Sequence, residues 1–538
     1  EIFPKKSLKD AFLNCEDKQM REHVTPWLIQ SKTHTKYSFK NEYDYSSLRL
    51  TIDEPEDLKV INSIIKQFPN DYFITFLDLV NLFKKSPEIF ALNQHLKRNE
   101  GEFLNKGTKL WKRAKNIIPG GNMLLSKRAD MFLPEKWPAY FSSAKGCKIW
   151  DLDGNEYTDM SIMGIGTNIL GYGNKDVDEA VIKTVSAGNM STFNCPEEVK
   201  LAEKLIEIHP WADMVKLART GGEANSIAIR IARASTGKDK VAICGYHGWH
   251  DWYLASNLDN SSNLDEHLLA GLNPVGVPSG LKGSVLPFQY NDLKEIKKII
   301  NNNELAAIKM EVERSEPPNK KFLESIRKLC SEKGIVLIFD ECTSGFRETY
   351  GGIHKKYGVN PDIAIFGKSL GNGYAITAII GKENVMEAAQ DSFISSTFWT
   401  ERIGPTAALK TLEIMKKEKS WEKITQIGLK IKNGWGTLAN THKIEIIQSG
   451  IPALAGFNFK SSNSLSYKTL ITQEMLKKKI LASNLFYASI SHKEELINNY
   501  FELLDNVFTK IAKCENGYLS IEDLLESPVC ISGFQRLN

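Results

Sequence analysis

Helical and strand patterns alternate along the chain from about residue 175 to 380. Amphipathic segments such as KDVDEAVIKTVSAG and KFLESIRKLCSEKG are separated by short apolar runs such as KVAICGYH, AAIKMEV, IVLIFDE and DIAIFGK. Apolar runs of this length between helices are typical of buried strands in a parallel sheet. The pattern therefore predicts an α/β fold with a mostly parallel central sheet flanked by helices.

The segments on either side of this region have a different pattern. In residues 1–98, SLRLTID alternates as a strand does, DEPEDLKVINSIIKQF predicts a helix, and FITFLDLVNLFKKSPEIF predicts two short helices broken at Pro87. The polar stretch QHLKRNEGEFLNKG is the candidate linker. After about residue 405, long helices mix with short strands, which indicates a smaller α+β lobe. We therefore predict three domains, at 1–98, 99–405 and 406–538.

Composition excludes several classes of function. The 538 residues include 69 basic and 65 acidic ones, and a net charge of +4 gives no reason to expect a nucleic-acid partner. The 8 cysteines are scattered without a CxxC pair, which is typical of reduced thiols in a cytoplasmic protein. No secretory pattern and no membrane-length apolar run is present, so we expect no membrane partner. The start at Glu1 rather than at Met is compatible with a segment of a longer protein.

An amine and a carboxylate each follow a buried strand. The apolar run IAIF ends at Gly367, and Lys368 comes next in a glycine-rich turn; the run IVLIF likewise leads to Asp340. Small ligands bind at the carboxyl ends of such strands. A lysine and an acid placed there suit pyridoxal phosphate, with the lysine on its aldehyde and the acid on its ring nitrogen.

Two further segments supply candidate cofactor contacts. In LARTGGEANS, Gly221 and Gly222 precede an amphipathic helix whose N-terminus can bind a phosphate. In KVAICGYHGWHDWY, Tyr246 follows a strand and can stack on a flat ring. The alternative interpretation of His247 and His250 as metal ligands lacks a third ligand at helical spacing, so no metal site is predicted.

In this order and spacing, residues from about 105 to 535 resemble the class III (fold type I) pyridoxal-phosphate-dependent aminotransferases, and within them the glutamate-1-semialdehyde 2,1-aminomutases. The resemblance rests on the segments NIIPGGNMLLSKRADMF, IWDLDGNEYTDM, LGYGNKDVDEAV, RTGGEANSIAIRIARASTGKDKV, GYHGWHDWY, IFDECTSGFR, PDIAIFGKSLGNG and SSTFWTERIGPTAALKTL. It implies an enzyme that moves an amino group to or from a carbonyl carbon of a small molecule. It also implies a homodimer with active sites at the interface.

The resemblance implies a role for each matching residue. Lys368 is the Schiff-base lysine and Asp340 the partner of the ring nitrogen, and both are catalytic. The implied cofactor contacts are Gly221 and Gly222 on the phosphate, Tyr246 and Cys342 on the two ring faces, His247 in support, and Thr397 on the phosphate of the neighbouring subunit. The implied substrate contacts are Glu223 and Arg128, of which Arg128 is a candidate for binding a carboxylate.

The departures from the aminomutase pattern lie on the substrate side. The phosphate turn has TGGEA in place of a Ser-Gly-Thr turn, and no tryptophan occurs near SIMGIGTNILG. EVERSEPP replaces a Glu-Pro stretch, and STFWTERIGP is one residue longer than the aminomutase loop. The sequence therefore predicts the cofactor but leaves open the substrate, the amino donor, and the choice between an aminomutase and a transaminase.

Residues 1–98 carry a second resemblance. REHVTPWLIQ, SSLRLTIDEPEDLKVINSI and LNQHLKRNEG are similar to the C-terminal end of the cytidylyltransferases of the spore-coat-polysaccharide type. This implies a partial α/β nucleotidyltransferase domain, in which Asp53 holds the position of a residue that can serve a metal. The glycine- and arginine-rich nucleotide-binding start of that family is missing, so we expect this portion to have a structural role and to bind CTP poorly. The fusion predicts an amino transfer to a precursor of a surface glycan. The alternative is a sugar-activating cytidylyltransferase with the pyridoxal-phosphate domain as an accessory.

Overall fold

The computed structural model describes residues 3–15, 21, 25–31, 33–37, 41–45, 48–52, 55–94, 105–265, 267, 270–313, 315–319 and 321–534. The chain divides into two compact units, Glu1–Lys109 and Leu110–Asn538. The domain boundaries at 98 and 405 stay predictions. Among the described helices, none is both long and apolar enough to cross a membrane.

The described part of the first unit is helical. Buried apolar side chains of three segments form its core, with Leu48, Val60, Ile64, Leu82 and Phe90 at the centre. The predicted helix break at Pro87 is confirmed, because proline lacks the N–H that a continuous helix needs and here begins a new one. The helices are α1 Lys5–Asn14, α2 Pro26–Gln30, α3 Pro55–Ile65, α4 Phe76–Lys85 and α5 Pro87–Ala91.

The predicted strand SLRLTID is wrong for residues 48–52, which are not in a strand. The alternation instead separates Leu48, which is buried in the core, from Arg49, which binds Asp57 of α3. The Arg49 Nε and Nη2 atoms each lie 2.8 Å from a carboxylate oxygen of Asp57. Residues 48–52 thus contact α3 through the ion pair of Arg49 with Asp57 and form no strand. Asp53 and most of the predicted linker lie outside the described residues, so the predicted metal role of Asp53 stays untested.

The second unit contains all the strands that the structure describes. Its helices are α6 Lys106–Ile117, which contains the division between the units, α7 Lys175–Ser186, α8 Pro196–Ile208, α9 Gly221–Thr236, α10 Asp251–Leu254, α11 Leu293–Asn302, α12 Phe322–Lys333, α13 His354–Tyr357, α14 Glu383–Met386, α15 Ile403–Glu418, α16 Ser420–His442, α17 Ser464–Lys477, α18 Glu494–Glu515 and α19 Ile521–Leu524. Its strands are β1 Phe141–Lys145, β2 Lys148–Asp151, β3 Glu156–Asp159, β4 Met214–Ala218, β5 Lys240–Cys244, β6 Val285–Pro287, β7 Leu305–Glu311, β8 Val336–Glu341, β9 Ile363–Phe366, β10 Thr377–Gly381, β11 Ile446–Ser449, β12 Leu454–Phe459, β13 Ile480–Leu481 and β14 Leu485–Tyr487.

A 7-stranded sheet in the order β4-β10-β9-β8-β7-β5-β6 forms the centre of this unit. Only β10 within it runs antiparallel to its neighbours, so the predicted mostly parallel sheet is confirmed. Successive residues of a strand face opposite sides of the sheet. Accordingly, Ile338 of β8 packs in the core that includes α9, and Leu337 packs in the core that includes α11 and α12.

The region after residue 405 combines long helices with a small antiparallel sheet, β11-β12-β14. This is the α+β composition that the sequence predicts. One hydrophobic core contains Phe366 of the large sheet together with Trp435 and Phe508 of these helices. The C-terminal helices therefore help to support the strand that precedes Lys368.

A buried histidine makes the stability of this core depend on pH. The carbonyl oxygen of Leu205 lies 3.0 Å from His209 Nδ1, and the Gly352 N–H donates to His209 Nε2 at 3.0 Å, so the ring is neutral with its hydrogen on Nδ1. Burial lowers the pKa of His209 to about 4. The unfolded chain therefore binds more protons below about pH 6.5, and stability falls as the pH falls.

We expect this side chain to cost the wild type about 2 kcal/mol of unfolding free energy between about pH 7 and about pH 5. His209→Gln keeps a donor and an acceptor but cannot gain a proton, so its loss over that interval should be smaller by the same amount. Urea unfolding of both proteins at several pH values measures the difference. Parallel pH curves would show that His209 is not responsible.

Candidate active site

The carboxyl ends of neighbouring strands meet at one edge of the central sheet. Gly221 begins α9 shortly after β4, Tyr246 and His247 follow β5, Asp340 lies near the end of β8, and Lys368 follows β9. Pairing of Asp340 with Ile365 across β8 and β9 fixes the level of the acid relative to the lysine. The sequence predicts an acid and an amine on two strand ends, and the structure shows that these two strands are neighbours in the sheet.

Lys368 begins a short 3₁₀ turn, Lys368–Gly371, in a left-handed conformation with φ +43°. Such a backbone is costly for a residue other than glycine and persists only where its surroundings hold it. Asn372 supplies part of that support, since its side chain accepts from Leu170 N at 2.9 Å and donates to the Gly171 carbonyl at 3.0 Å. The half-buried Lys368 Nζ donates to Thr343 Oγ1 at 2.7 Å.

Asp340 is buried and lies among several donors. Its Oδ2 accepts from His247 Nδ1 at 2.8 Å, and its Oδ1 accepts from Cys342 N at 3.1 Å. Lys309 Nζ lies 3.4 Å from Oδ2. Burial alone would raise the pKa of Asp340, but Lys309 and His247 outweigh it and hold that pKa well below its usual range. The carboxylate is therefore ionised near pH 7.

His247 is buried against Asp340 and is neutral. Burial, followed by the positive charge of Lys309, lowers the pKa of His247. Its Nδ1 carries the hydrogen, because that atom faces an ionised carboxylate. His247 therefore orients Asp340 as a neutral donor.

The first two residues of α9, Gly221 and Gly222, have no side chains. A Cβ added at Gly222 would lie 2.9 Å from the ring of His250, and one added at Gly248 would lie 3.2 Å from the Cα of Gly222. Glycine is therefore required at these contacts, and backbone N–H groups at the N-terminus of α9 suit an anion. Thr220 and Glu223 form a capping box, in which the Glu223 carboxylate accepts from Thr220 N at 2.8 Å.

Cys342 lies close to Gly221, at the start of α9, and to Gly367, which directly precedes Lys368. Its Sγ would be 3.7 Å from a Cβ at Gly221 and 3.3 Å from a Cβ at Gly367. Tyr246 is held by its backbone N–H, which donates to Glu311 Oε2 at 3.1 Å. The structure thus brings these positions to one strand edge, while contacts of Cys342 and Tyr246 with the two ring faces stay predictions.

Three predicted site residues lie elsewhere or have other partners. Arg128 is 5% exposed, and its Nη2 lies 3.7 Å from Asp130 Oδ2. Thr397 is exposed in the short segment Thr397–Thr400. Glu223 is engaged in its capping box, so the substrate contacts predicted for Arg128 and Glu223, and the phosphate contact for Thr397, stay predictions.

The histidine pair considered as metal ligands does not converge. His250 Nδ1 lies 2.8 Å from Ser226 Oγ, whereas His247 Nδ1 faces Asp340. Over the described residues, no group of three or more His, Cys, Asp or Glu side chains is placed to hold a metal ion.

A cavity of about 450 Å³ borders the turn that follows Lys368. Gly373 of that turn and Asn168 form part of its wall, and the SIMGIGTNILG segment, which departs from the aminomutase pattern, contributes Ile162 and Gly164. Aromatic side chains also line the cavity, among them Phe132, Trp137, Tyr140 and Tyr172.

Sequence reasoning missed two residues of the site, Lys309 and Thr343. A signal for Lys309 was present, since a lysine in the apolar run AAIKMEV must be buried and needs a counterion. Thr343 gave no comparable signal, because its contact with Lys368 depends on how two loops fold.

The sequence profile of the class-III aminotransferases matches residues 134–494. The chain is 34% identical to 3-aminobutyryl-CoA aminotransferase of Cloacimonas acidaminovorans, over 72% of this chain and 91% of that protein. It is 30% identical to glutamate-1-semialdehyde 2,1-aminomutase of Methanosphaera stadtmanae, over 78% of this chain and 94% of that protein. The chain belongs to the class-III aminotransferases.

The fold of this class-III aminotransferase agrees with that assignment. The pyridoxal-phosphate form of the FumI protein of Sphingopyxis sp. MTA144 superposes with a TM-score of 0.69 at 24% identity, over 78% of this chain and 100% of that chain. The predicted fold type I architecture is confirmed. The matched profile begins at residue 134, so the resemblance of residues 1–98 to cytidylyltransferases stays a prediction.

The residues at the strand edge fit pyridoxal phosphate, the cofactor that this family implies. An ionised buried carboxylate, Asp340, suits a ring nitrogen that carries a proton, and the amine of Lys368 suits an aldehyde. Gly221 and Gly222 begin α9 without side chains, and backbone N–H groups at a helix N-terminus suit a phosphate. The class-III aminotransferase described here is therefore a pyridoxal-phosphate-dependent enzyme.

Proposed function

We propose that this enzyme is a transaminase that moves an amino group between an amino acid donor and a carbonyl carbon of a small acceptor. The supporting observation is the pairing of a lysine amine and a buried, ionised carboxylate on adjacent strand ends, Lys368 after β9 and Asp340 in β8. Amino transfer of this kind needs a nucleophilic amine at the aldehyde of the cofactor and a fixed negative charge at its ring nitrogen.

Each residue has a distinct task in this proposal. When bound, pyridoxal phosphate supplies an electron sink for the negative charge that develops at the substrate Cα. Asp340 holds the proton on the ring nitrogen, and His247 keeps the carboxylate oriented. Lys368 would hold the cofactor through its aldehyde, and once a substrate amine had displaced it, the free amine of Lys368 would accept the proton from the substrate Cα. Thr343 holds that amine by the bond from Nζ to Oγ1.

The proposal places the substrate in the cavity of about 450 Å³ beside the turn after Lys368. The cavity is lined by aromatic and small residues and suits a substrate whose carbon skeleton is larger than an amino acid side chain. A homodimer is part of the proposal. Exposed Thr397 is then free to reach a neighbouring subunit, and apolar side chains such as Phe393 and Phe398, 87% and 70% exposed, become covered.

The proposed acceptor is a keto or aldehyde precursor of a surface glycan, and its support is the resemblance of residues 1–98 to cytidylyltransferases. The competing assignment as a sugar-activating cytidylyltransferase requires that the protein bind CTP. Calorimetric titration with CTP and Mg²⁺ separates the two assignments. We expect no heat of binding, whereas micromolar binding would favour the nucleotidyltransferase.

Incubation with glutamate distinguishes a transaminase from an aminomutase. We expect a donor amino acid alone to convert the loaded enzyme to its amine form, with loss of visible absorbance and formation of one 2-oxo acid per site. The same amount of D-glutamate is the control, because a stereospecific site should leave it unreacted. An unchanged spectrum with glutamate, together with activity on a substrate that carries both groups, would identify an aminomutase instead.

A further inference from the structure

A lysine lies entirely within the central sheet. Lys309 is 0% exposed in β7, where the other six residues of the strand, Leu305–Ile308, Met310 and Glu311, are buried as well. Lysine is almost never fully buried unless its ammonium group has a counterion, because removing the charge from water is costly. We therefore expect a carboxylate close to Lys309.

The strand register explains which groups Lys309 faces. Glu311 of β7 pairs with Asp340 of β8, and Lys309, two residues earlier, points to the same face of the sheet. Its Nζ lies 3.4 Å from Asp340 Oδ2. Ile308 and Met310 point to the opposite face, into the core below α11 and α12. The ammonium group thus contacts the carboxylate assigned to the cofactor's ring nitrogen.

The formal charges of the side chains around Asp340 leave a net negative charge that one additional cation can neutralise. Asp340 and Glu311 contribute two carboxylates, and His247 is neutral. Burial lowers the pKa of Lys309 and Asp340 opposes that shift, and Lys309 contributes one ammonium group when it is protonated. Cys342, whose pKa is raised by burial, adds no charge near pH 7. With Lys309 protonated, these four side chains therefore sum to a single negative charge, which one protonated pyridine nitrogen neutralises. Without Lys309 the sum would be two negative charges.

We propose that Lys309 is a positioning residue that sets how tightly the cofactor's ring nitrogen holds its proton, by sharing the Asp340 carboxylate with it. This inference rests on the proposed function, since it assumes that Asp340 pairs with that nitrogen. A positive charge on the same carboxylate lowers the proton affinity of the ring nitrogen. Lys309 thereby makes the electron sink weaker than the one Asp340 and His247 would provide by themselves.

The proton affinity of the ring nitrogen is measured directly by ¹⁵N NMR of the enzyme loaded with ring-¹⁵N pyridoxal phosphate. Lys309→Met removes the ammonium group at similar volume, and we expect the pH at which the ring nitrogen loses its proton to rise by about 1 unit or more. Lys309→Gln provides a second uncharged side chain if the methionine variant does not fold. Lys240→Met, the same change at an exposed position of β5, is the matched control and should leave the titration unchanged.

A double variant tests whether Lys309 acts on the ring nitrogen through the carboxylate of Asp340. In the Asp340→Asn background, Lys309→Met should shift the ring-nitrogen titration by much less, because the shared carboxylate is gone. Titrations that coincide for the wild type and both Lys309 variants would overturn the inference while leaving the proposed function intact. Failure of borohydride to attach the cofactor to the wild-type chain would overturn both, and this outcome is recognised before any titration is run.

Discussion

Replacing Lys368 by alanine is expected to lower kcat by at least about 10⁴-fold, because in the proposed reaction this one side chain is both the covalent attachment and the proton carrier. The cofactor should still bind, since the turn at Gly221 and Gly222 and the carboxylate of Asp340 remain. Its visible absorbance should be lost and replaced by that of the free aldehyde. Single-turnover assays and absorbance spectra of the reconstituted variant measure both effects.

Two control variants show whether that loss is specific to the Lys368 amine. Lys333→Ala changes an exposed lysine at the end of α12 and should leave the spectrum and kcat unchanged. Thr343→Val removes only the hydrogen bond to Lys368 Nζ, and we expect a loss of about 10-fold in kcat with the visible absorbance retained. A wild-type spectrum in Lys368→Ala would exclude this lysine from the chemistry.

The parts of the site that the sequence predicts are those fixed by strand ends. Lys368 and Asp340 each follow an apolar run, and a strand in a parallel sheet delivers the residue at its carboxyl end to the same edge as its neighbours. The capping role of Glu223 was also accessible, since Thr220 and Glu223 have the T-x-x-E spacing of a capping box. The family resemblance instead implies a substrate contact for Glu223, and the same carboxylate is already engaged by the helix N-terminus.

The parts that could not be predicted depend on register and on packing partners. The contact of Lys309 with Asp340 requires the alignment of β7 with β8, which a single sequence does not reveal. The wrong strand at 48–52 has a similar cause. Alternation shows that Leu48 and Arg49 face different surroundings, but it does not show that Arg49 has a helical carboxylate, Asp57, as its partner.

Asp340→Ala is expected to affect folding and catalysis at the same time. Loss of the carboxylate removes the proposed partner of the ring nitrogen and should lower kcat by about 10²- to 10³-fold. It also leaves the buried ammonium group of Lys309 without the carboxylate that lies 3.4 Å away, and the His247 Nδ1–H without its acceptor. Breaking a buried ion pair from one side costs about 3–5 kcal/mol, so urea unfolding of the cofactor-free variant should show a loss of that size.

The double variant Asp340→Ala with Lys309→Met separates these two effects. Removing both charges leaves no unpaired ion, so most of the lost stability should return while kcat stays low. The pH dependence provides an independent check. In the single variant the folded state favours neutral Lys309 and the unfolded chain keeps it protonated up to about pH 10.4, so stability should rise with pH toward that value. A single variant as stable as the wild type at neutral pH would show that Lys309 and Asp340 do not form the ion pair described here.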